Sequence, residues 1–387
     1  MTATNPLGSS FSIPMSDLKE YNASFADGFA EDVKTLIGHG RYILGDEVTR
    51  FERLLANRLG VSHCVGVSSG TSALELAFRA LKLKPTDEVI VPANTYIASA
   101  FGAAASGAKL VLVDCMPDGT LDLRAVAAAV TLQTKAVLVV HLYGDCCPMR
   151  DLDSLCKLYD LRLIEDCAQC LGSTYDGIPL GAWGDISCHS FYPSKNLGAL
   201  GDAGAIATND VGVATYCRLA RNLGVSAKYV HDIPATNARM DTLQALFLLR
   251  KLSDMDRLIE AKRGVAEAYT HALGDTHIRS KDPRVYHSYH VYAISVPDRD
   301  AAMKRLAEAG IETLIHYPIP FYKSAAFAEL NSLTFPETER LASSMISLPM
   351  FGTLSSNQIT RVVESIQYEA PRRIVGSEVS PLRSRSD

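Results

Sequence analysis

The chain alternates short β-rich apolar runs with segments of helical periodicity, and this alternation constrains the fold more than any other feature. Several runs are apolar almost throughout, as in EVIVPA, KLVLVDC and KAVLVVHLYG. Such strands are typical of a sheet covered on both faces, so we expect an α/β fold whose largely parallel sheet lies between helices. Ligands in such sheets bind beyond the carboxyl ends of the strands. The predicted strands lie at 63–69, 88–93, 109–115, 135–144, 161–168, 185–192 and 204–209.

The pattern changes near residue 240, which indicates a second domain. Residues 241–262 have the amphipathic periodicity of one long helix, and a new αβ pattern follows. We therefore expect an N-terminal arm and large domain at 1–240 and a connecting helix with a smaller C-terminal αβ domain at 241–370. The polar stretch 371–387 is expected to be a mobile tail.

Composition favours small-molecule chemistry over binding to a polymer or a membrane. The 387 residues are 47% hydrophobic and carry a formal net charge of −5, without a dense run of Lys or Arg. This gives no basic patch for nucleic acid or for an anionic membrane. Because there is no long apolar span and the N-terminus lacks the layout of a signal peptide, a cytoplasmic location is expected.

The stretch IEDCAQC contains a C-x-x-C pair, Cys167 and Cys170, within a total of nine cysteines. Zinc would need two further ligands at comparable spacing, and the sequence shows no second C-x-x-C or close His pair. A redox pair would usually open a helix with both sulfurs near the surface. We therefore predict reduced, packed thiols and no metal site.

Asp166 lies in the same stretch, at the end of an apolar strand. A half-buried carboxylate there needs a partner, and a cation such as a protonated heterocycle nitrogen would keep it ionised. The alternative is an Asp that caps the following turn. The residues alone favour the capping interpretation.

Two further segments suggest a phosphorylated ligand and a nucleophile. SSGTS precedes an amphipathic helix, so its amides and hydroxyls can hold a phosphate, although Ser and Thr caps are common. Lys195 lies in SFYPSKNLGALGDAG, a Gly-rich and almost uncharged segment between strands. A buried amine there would have a lowered pKa and could attack carbonyls, whereas the alternative is a solvated surface lysine.

Taken in order, the motifs SSGTSAL, VPANTYIASA, IEDCAQ, SFYPSKNLGALGDAG, NARMDTLQA and IHYPIPFY resemble the pyridoxal-phosphate (PLP) sugar aminotransferases of the DegT/DnrJ/StrS type. The resemblance extends from residue 41 to residue 351. It implies the PLP-dependent transferase fold type I. It also implies that Lys195 forms the Schiff base with PLP, that Asp166 pairs with the protonated ring nitrogen, and that Gln169 hydrogen-bonds the ring's phenolate oxygen.

The resemblance implies five more cofactor contacts. Gly70 and Thr71 would hold the phosphate through their amides, and Ser190 would add a hydroxyl. Tyr96 would stack on the pyridine ring. Asn237 matches an asparagine that reaches the phosphate from the neighbouring subunit, so a homodimer with shared active sites is expected.

The residues of the motifs SFYPSKNLGALGDAG, KYVHDIPATNARMDTLQA and ETLIHYPIP most resemble those of enzymes that act on dTDP-linked 3-keto-6-deoxyhexoses. By that likeness His316 and Tyr317 lie at the sugar pocket, and Arg221 and Tyr229 lie on segments that approach the nucleotide-sugar. His316 has an alternative as a loop histidine with an internal partner. Phe321-Tyr322-Lys323 departs from the residues commonly seen after HYPIP, which leaves the sugar's stereochemistry open.

The predicted reaction is amino transfer in two halves. L-Glutamate converts PLP to pyridoxamine phosphate, and the ketosugar then takes the amine to give an aminosugar. The alternatives are a UDP-linked or 4-keto sugar, a cyclitol ketone, or a PLP-binding regulatory protein without catalysis. A dehydratase is disfavoured because such relatives replace the lysine at position 195 with histidine.

Overall fold

A computed structural model describes residues 11–274 and 276–367 of the chain. A central sheet of seven strands organises the large unit. All seven strands predicted from sequence are present, which confirms this part of the prediction. They are β1 (His63–Val67), β2 (Glu88–Pro92), β3 (Lys109–Val113), β4 (Thr134–Val140), β5 (Arg162–Asp166), β8 (Ile186–Ser190) and β9 (Gly204–Thr208).

The remaining strands form three small sheets. The three-stranded sheet β12–β6–β7 and the pairs β10–β11 and β13–β14 are all antiparallel. Each of these strands has two to four residues, which is too short for apolar periodicity to reveal it. Their bounds are β6 (Thr174–Tyr175), β7 (Ile178–Pro179), β10 (Val225–Ala227), β11 (Val230–His231), β12 (Val285–Tyr286), β13 (Tyr292–Ser295) and β14 (Met345–Leu348).

The central sheet has the order β1-β9-β8-β5-β4-β2-β3. Its neighbours pair in parallel except β9, which runs antiparallel to both β1 and β8. The expectation of a mostly parallel sheet is therefore confirmed. β5 is the middle strand, so its carboxyl end lies at the centre of the edge where ligands bind.

The described residues form helices that cover both faces of this sheet and helices that belong to the C-terminal part. They are α1 (Leu18–Ala23), α2 (Ala26–His39), α3 (Asp46–Leu59), α4 (Gly70–Ala80), α5 (Ile97–Ala104), α6 (Leu123–Ala129), α7 (Met149–Leu158), α8 (Val211–Ala220), α9 (Thr242–Leu252), α10 (Met255–Leu273), α11 (Arg299–Glu308), α12 (Pro336–Ser344) and α13 (Ser356–Gln367). Short 3₁₀ turns lie at Leu142–Gly144, Phe321–Lys323 and Ala325–Leu330.

Alternation along β2 shows how the sheet is buried. Val89 and Val91 belong to the apolar core shared with α4, α5 and α8, whereas Ile90 belongs to the core shared with α6 and α7. Successive strand residues point to opposite faces, so a continuous apolar run is required when both faces are covered. This is the physical basis of the strand predictions.

The prediction of one continuous helix over 241–262 is wrong, because the structure has two helices there. The structure ends α9 at Leu252 and begins α10 at Met255. Ser253 and Asp254 lie at the break, where the Ser253 hydroxyl donates to the Arg250 carbonyl at 2.7 Å. Short polar side chains compete with the backbone for hydrogen bonds in this way, so they favour helix ends over helix interiors.

The C-terminal part has its own apolar core, built largely from residues 265–363. Ile13 also belongs to it, is 0% exposed and forms a parallel bridge with Ile311. The N-terminal arm thus packs partly on the C-terminal unit. The division at residue 240 stays a prediction, and the proposed tail at 371–387 lies outside the described residues.

Within residues 11–274 and 276–367, none of the helices combines the length and the apolar character needed to span a membrane.

Candidate active site

Asp166 ends β5 at the centre of the sheet's carboxyl edge, and only 5% of it is exposed. Its Oδ2 atom accepts a hydrogen bond from the Ser99 hydroxyl at 2.6 Å, and its Oδ1 atom accepts from the Ala168 amide at 3.0 Å. Burial raises the pKa of Asp166, and the bond from Ser99 opposes that rise. Both donors are neutral, so the carboxylate can take a further cationic partner.

Gln169 lies three residues beyond Asp166 with its amide held between two neighbours. Its Oε1 atom accepts from the Tyr143 amide at 2.6 Å, and its Nε2 atom donates to the Tyr317 hydroxyl at 3.1 Å. Burial, and then the nearby Asp166 charge, raise the pKa of Tyr317. The structure therefore brings together Asp166, Gln169 and Tyr317.

Lys195 follows β8 in the turn after Ser190. Burial lowers the pKa of its amine to about 8, although the Asp166 charge opposes this change. Its Nζ atom lies 3.5 Å from the His290 Nε2 atom. Burial and the neighbouring Lys195 hold the pKa of His290 well below its usual range. An amine with this lowered pKa is available as a nucleophile close to neutral pH.

The start of α4 forms a concave cradle next to β8 and β9. Ser69 caps the helix by accepting from the Ser72 amide at 3.0 Å. A Cβ atom on Gly70 would lie 2.7 Å from the Ser190 Cβ, and one on Gly204 would lie 2.4 Å from the Ser69 carbonyl. Only glycine permits this approach of three backbone segments. The amides of the first helical turn, including that of the exposed Thr71, are suited to an anion.

Two aromatic rings and a histidine lie at the rim. Tyr96 is 51% exposed, and its ring centroid lies 5.0 Å from that of Tyr317. The His316 Nδ1 atom lies 2.8 Å from the Ser347 hydroxyl. Burial, followed by the Lys195 charge, lowers the pKa of His316 to about 4. His316 thus has Ser347 as a hydrogen-bond partner, and it also lies close enough to Lys195 for the charge of the amine to lower its pKa.

Three other predicted residues have no hydrogen bond to these side chains within the described ranges. Arg221 is 8% exposed and is held by Glu52 at 2.5 Å and by the Gly66 carbonyl at 2.6 Å. Tyr229 is 86% exposed between β10 and β11, and the exposed Asn237 forms a bridge with Asn222. The buried ion pair favours a structural role for Arg221, and the roles of the other two stay predictions.

Sequence reasoning missed two residues of this site. Ser99 lies in VPANTYIASA, one helical turn beyond Tyr96, but it looked like one of several small residues. His290 precedes β13 and carried no signal beyond an isolated histidine. Both contacts join segments far apart in sequence.

All nine cysteines are free and buried, which confirms the prediction of packed thiols.

The residues present fit PLP. A buried carboxylate with neutral donors suits a protonated ring nitrogen, an amine with a lowered pKa suits the aldehyde, and a glycine cradle at a helix start suits the phosphate. The carboxylate, the amine and the glycine cradle together, on a fold type I sheet, are the features of the PLP-dependent transferases as a class.

Comparison with known proteins gives the family. The profile of the DegT/DnrJ/EryC1/StrS aminotransferase family matches residues 24–367, so the chain belongs to this family of enzymes. A relative from Aneurinibacillus thermoaerophilus, named dTDP-3-amino-3,6-dideoxy-alpha-D-galactopyranose transaminase, is 40% identical over 92% of this chain and 98% of its own. One from Acidithiobacillus ferrooxidans, named as a UDP-N-acetyl-3-dehydro-alpha-D-glucosamine 3-aminotransferase, is 38% identical over 92% of this chain and 97% of its own.

A solved structure supports the same assignment. DesV of S. venezuelae, crystallised in complex with a ketimine intermediate, aligns with a TM-score of 0.88 and 36% identity. The alignment covers 92% of this chain and 97% of DesV. The predicted fold class and the prediction of an aminotransferase are therefore confirmed.

Proposed function

We propose that the protein is a PLP-dependent aminotransferase that moves the amino group of L-glutamate onto a dTDP-linked 3-keto-6-deoxyhexose. The product is a dTDP-3-amino-3,6-dideoxyhexose. The observation that carries this proposal is that Lys195 lies close enough to the buried Asp166 for the carboxylate charge to act on its amine, whose pKa burial lowers to about 8. The name of the Aneurinibacillus relative supports the dTDP-linked substrate.

Each part of the site has a separate task in this proposal. PLP, when bound, supplies the electron sink for the broken C–H bond. Asp166 would favour the protonated ring nitrogen, and the hydrogen bond from Ser99 favours the ionised form of Asp166. Lys195 holds and returns the transferred proton at its Nζ atom. Gln169 would orient the ring through a hydrogen bond, as the resemblance implies.

Other side chains would fix the cofactor and the sugar. The α4 amides at Gly70 and Thr71 hold the phosphate, with the Ser190 hydroxyl beside them. Tyr96 covers one face of the ring. His316 and Tyr317 line the sugar pocket, where the low pKa of His316 keeps its imidazole neutral.

A homodimer is part of the proposal. Helix α1 contributes no buried residue, and α2 contributes only Leu36. Large apolar side chains nearby remain exposed in the single chain, at Ile37, Tyr42, Ile43 and Leu243. Exposed apolar side chains of this size favour association when they lie together on a surface. In the proposed dimer, Asn237 of each chain would reach the phosphate of the other, as the resemblance implies.

Replacing Lys195 with alanine tests the chemistry. We expect the variant to lose the yellow adduct that borohydride reduces, together with turnover from L-glutamate. Lys304→Ala, which removes a lysine that is 75% exposed on α11, is the matched control and should keep both. An active Lys195→Ala enzyme would refute the proposed mechanism.

The substrate is tested with a panel of ketosugars. Cofactor-loaded protein would receive dTDP-linked 3-keto and 4-keto sugars, a UDP-linked 3-keto sugar and a cyclitol ketone, and mass spectrometry would detect the amine. We expect the highest kcat/KM with the dTDP-linked 3-keto sugar. The Acidithiobacillus relative makes the UDP-linked sugar the main competitor. A protein that binds PLP but takes the amino group from no donor would support a regulatory role.

Shared sites are tested by mixing two inactive variants. If Lys195 and Asn237 act in the same site from different chains, a dimer of Lys195→Ala with Asn237→Ala contains one intact site. Random reassortment then restores about a quarter of wild-type activity. Activity no higher than that of the separate variants would show that each site lies within one chain.

A further inference from the structure

A second cluster of reactive side chains lies on the opposite face of β5 from Asp166. Asp166 bonds to Ser99 of α5, whereas its neighbour Glu165 bonds to His141 at 2.9 Å. This follows from the alternation of side chains along a strand. Glu165 and His141 are both 0% exposed, and neither has a task in the proposed transfer reaction.

Two thiols complete this cluster. A ring nitrogen of His141 and the sulfurs of Cys167 and Cys170 all lie within 4.8 Å of one another. All three residues are buried, with at most 1% of any of them exposed. We name this group the Cys2His cluster. The C-x-x-C pair has no nearby histidine in the sequence, and the fold places the imidazole of His141, the residue after β4, beside it.

The histidine is oriented as in protein metal sites. Glu165 engages its Nε2 atom, and the same carboxylate accepts from the amides of Gly181 at 2.9 Å and Gly184 at 2.7 Å. A carboxylate that fixes the far nitrogen of a ligating imidazole is the usual support of such a ligand. The other nitrogen, Nδ1, is buried without a hydrogen-bond partner among the described residues.

That unpartnered nitrogen is costly in an apolar interior. Leaving a buried polar atom without a partner destabilises a fold by about 1–3 kcal/mol. Apolar side chains form part of the surroundings, since Cys167 and Cys170 lie in the core with Leu163 and Leu180. A bound cation would use the free lone pair of Nδ1, while packed thiols alone leave it without a ligand.

We propose that the Cys2His cluster binds one thiophilic metal ion of the class of Zn²⁺ or Cu⁺. Two sulfurs and one imidazole select soft or borderline ions over Mg²⁺ or Ca²⁺, which prefer oxygen ligands. Binding forms two metal–sulfur bonds and one metal–nitrogen bond and releases the two thiol protons to solvent. The ion would stabilise the turn that carries Asp166 and Gln169 from the opposite face of the sheet.

The test is the metal content of the full-length, tag-free protein. Because the cluster is buried, the protein would be produced in medium supplemented with zinc alone or with copper alone, so that loading can accompany folding. After desalting against a weak chelator, mass spectrometry should find about one ion per chain from at least one medium. Background levels of both ions would overturn the proposal.

Variants assign the ion to the cluster. Cys167→Ala and Cys170→Ala should each lower the bound metal at least tenfold. The matched control is Cys156→Ala, which removes another thiol of the same apolar core and should keep the full content. Equal metal content in all three variants would place the ion elsewhere.

X-ray absorption at the metal edge of the wild-type protein provides an independent measurement if a variant does not fold. We expect two sulfur neighbours and at least one imidazole nitrogen. A shell of nitrogen and oxygen alone would overturn the proposal. Neither measurement requires catalytic activity, so the result does not depend on the substrate.

Discussion

Replacing Ser99 with alanine in the cofactor-free protein removes the hydroxyl that donates to Asp166 Oδ2 at 2.6 Å. Ser99 is 0% exposed, so water does not replace the lost donor. A hydrogen bond to a charged group contributes about 1.5–3 kcal/mol, whereas one between neutral groups contributes about 0.5–1.5 kcal/mol. The variant should therefore be destabilised by the larger amount when Asp166 is ionised and by the smaller amount when it is protonated.

The pH dependence has a definite sign. The native pKa of Asp166 is already raised by burial, and loss of the Ser99 donor raises it further. The native state then binds more protons than the unfolded state, whose Asp pKa is about 3.9, so stability falls as the pH rises between the two values. Because the unfolded Asp166 titrates alike in both proteins, the penalty of the substitution should grow with pH only between the native pKa of the wild type and the higher native pKa of the variant. It should level off above the variant's native pKa.

Urea unfolding at fixed protein concentration, measured across a pH series, gives the required free energies. The same substitution in an Asp166→Asn background should cost only the neutral amount at every pH. Ser173→Ala is the control, because that buried hydroxyl donates at 2.6 Å to the neutral Gly144 carbonyl. The reasoning fails if the Ser99→Ala penalty is independent of pH and unchanged in the Asp166→Asn background.

The amine, the glycine cradle and a buried lysine each give a further prediction. Because the pKa of Lys195 is lowered to about 8, capture of PLP by cofactor-free protein should accelerate about tenfold per pH unit below that value and then level off in stopped-flow absorbance; a flat profile contradicts this. Gly70→Ala, whose Cβ would lie 2.7 Å from the Ser190 Cβ, should cost roughly 1–3 kcal/mol and weaken PLP binding in dialysis. Gly264→Ala, whose Cβ would meet nothing within 4 Å, should do neither, and equal effects would contradict the close approach. Burial lowers the pKa of Lys251 to about 7, so above that pH the unfolded state binds more protons and stability rises by up to about 1.4 kcal/mol per unit. Lys251→Met should remove that slope in urea titrations, and an unchanged slope would contradict it.

The sequence was most informative where one physical requirement acted on many neighbouring residues. Burial on both faces demands a continuous apolar run, and for this reason all seven central strands could be predicted. The composition of a strand does not, however, predict whether the strand runs parallel or antiparallel to its neighbours. The GAIAT run of β9 reads like a parallel strand, yet it pairs antiparallel with both neighbours.

The candidate site was predictable only in part, for a related reason. Asp166 and Lys195 belong to local motifs whose order in the chain could be recognised. Ser99, His290 and the His141 partner of the thiols depend on contacts between distant segments, which a single sequence does not display. Arg221 shows what local sequence leaves out, because its neighbourhood pointed to the substrate and gave no sign of the Glu52 carboxylate that holds its guanidinium.

The position of Ile13 bears on how the chain is made. The adjacent Ser12 bonds to Gly310, 298 residues further along, so the arm has no docking site until most of the protein has emerged from the ribosome. At the usual rate of translation, roughly 15–60 s pass between the synthesis of Ser12 and that of Gly310. The segment around Ile13 is therefore among the last of the described residues to reach its native contacts, and newly made chains should be open to proteases there until residue 310 has emerged.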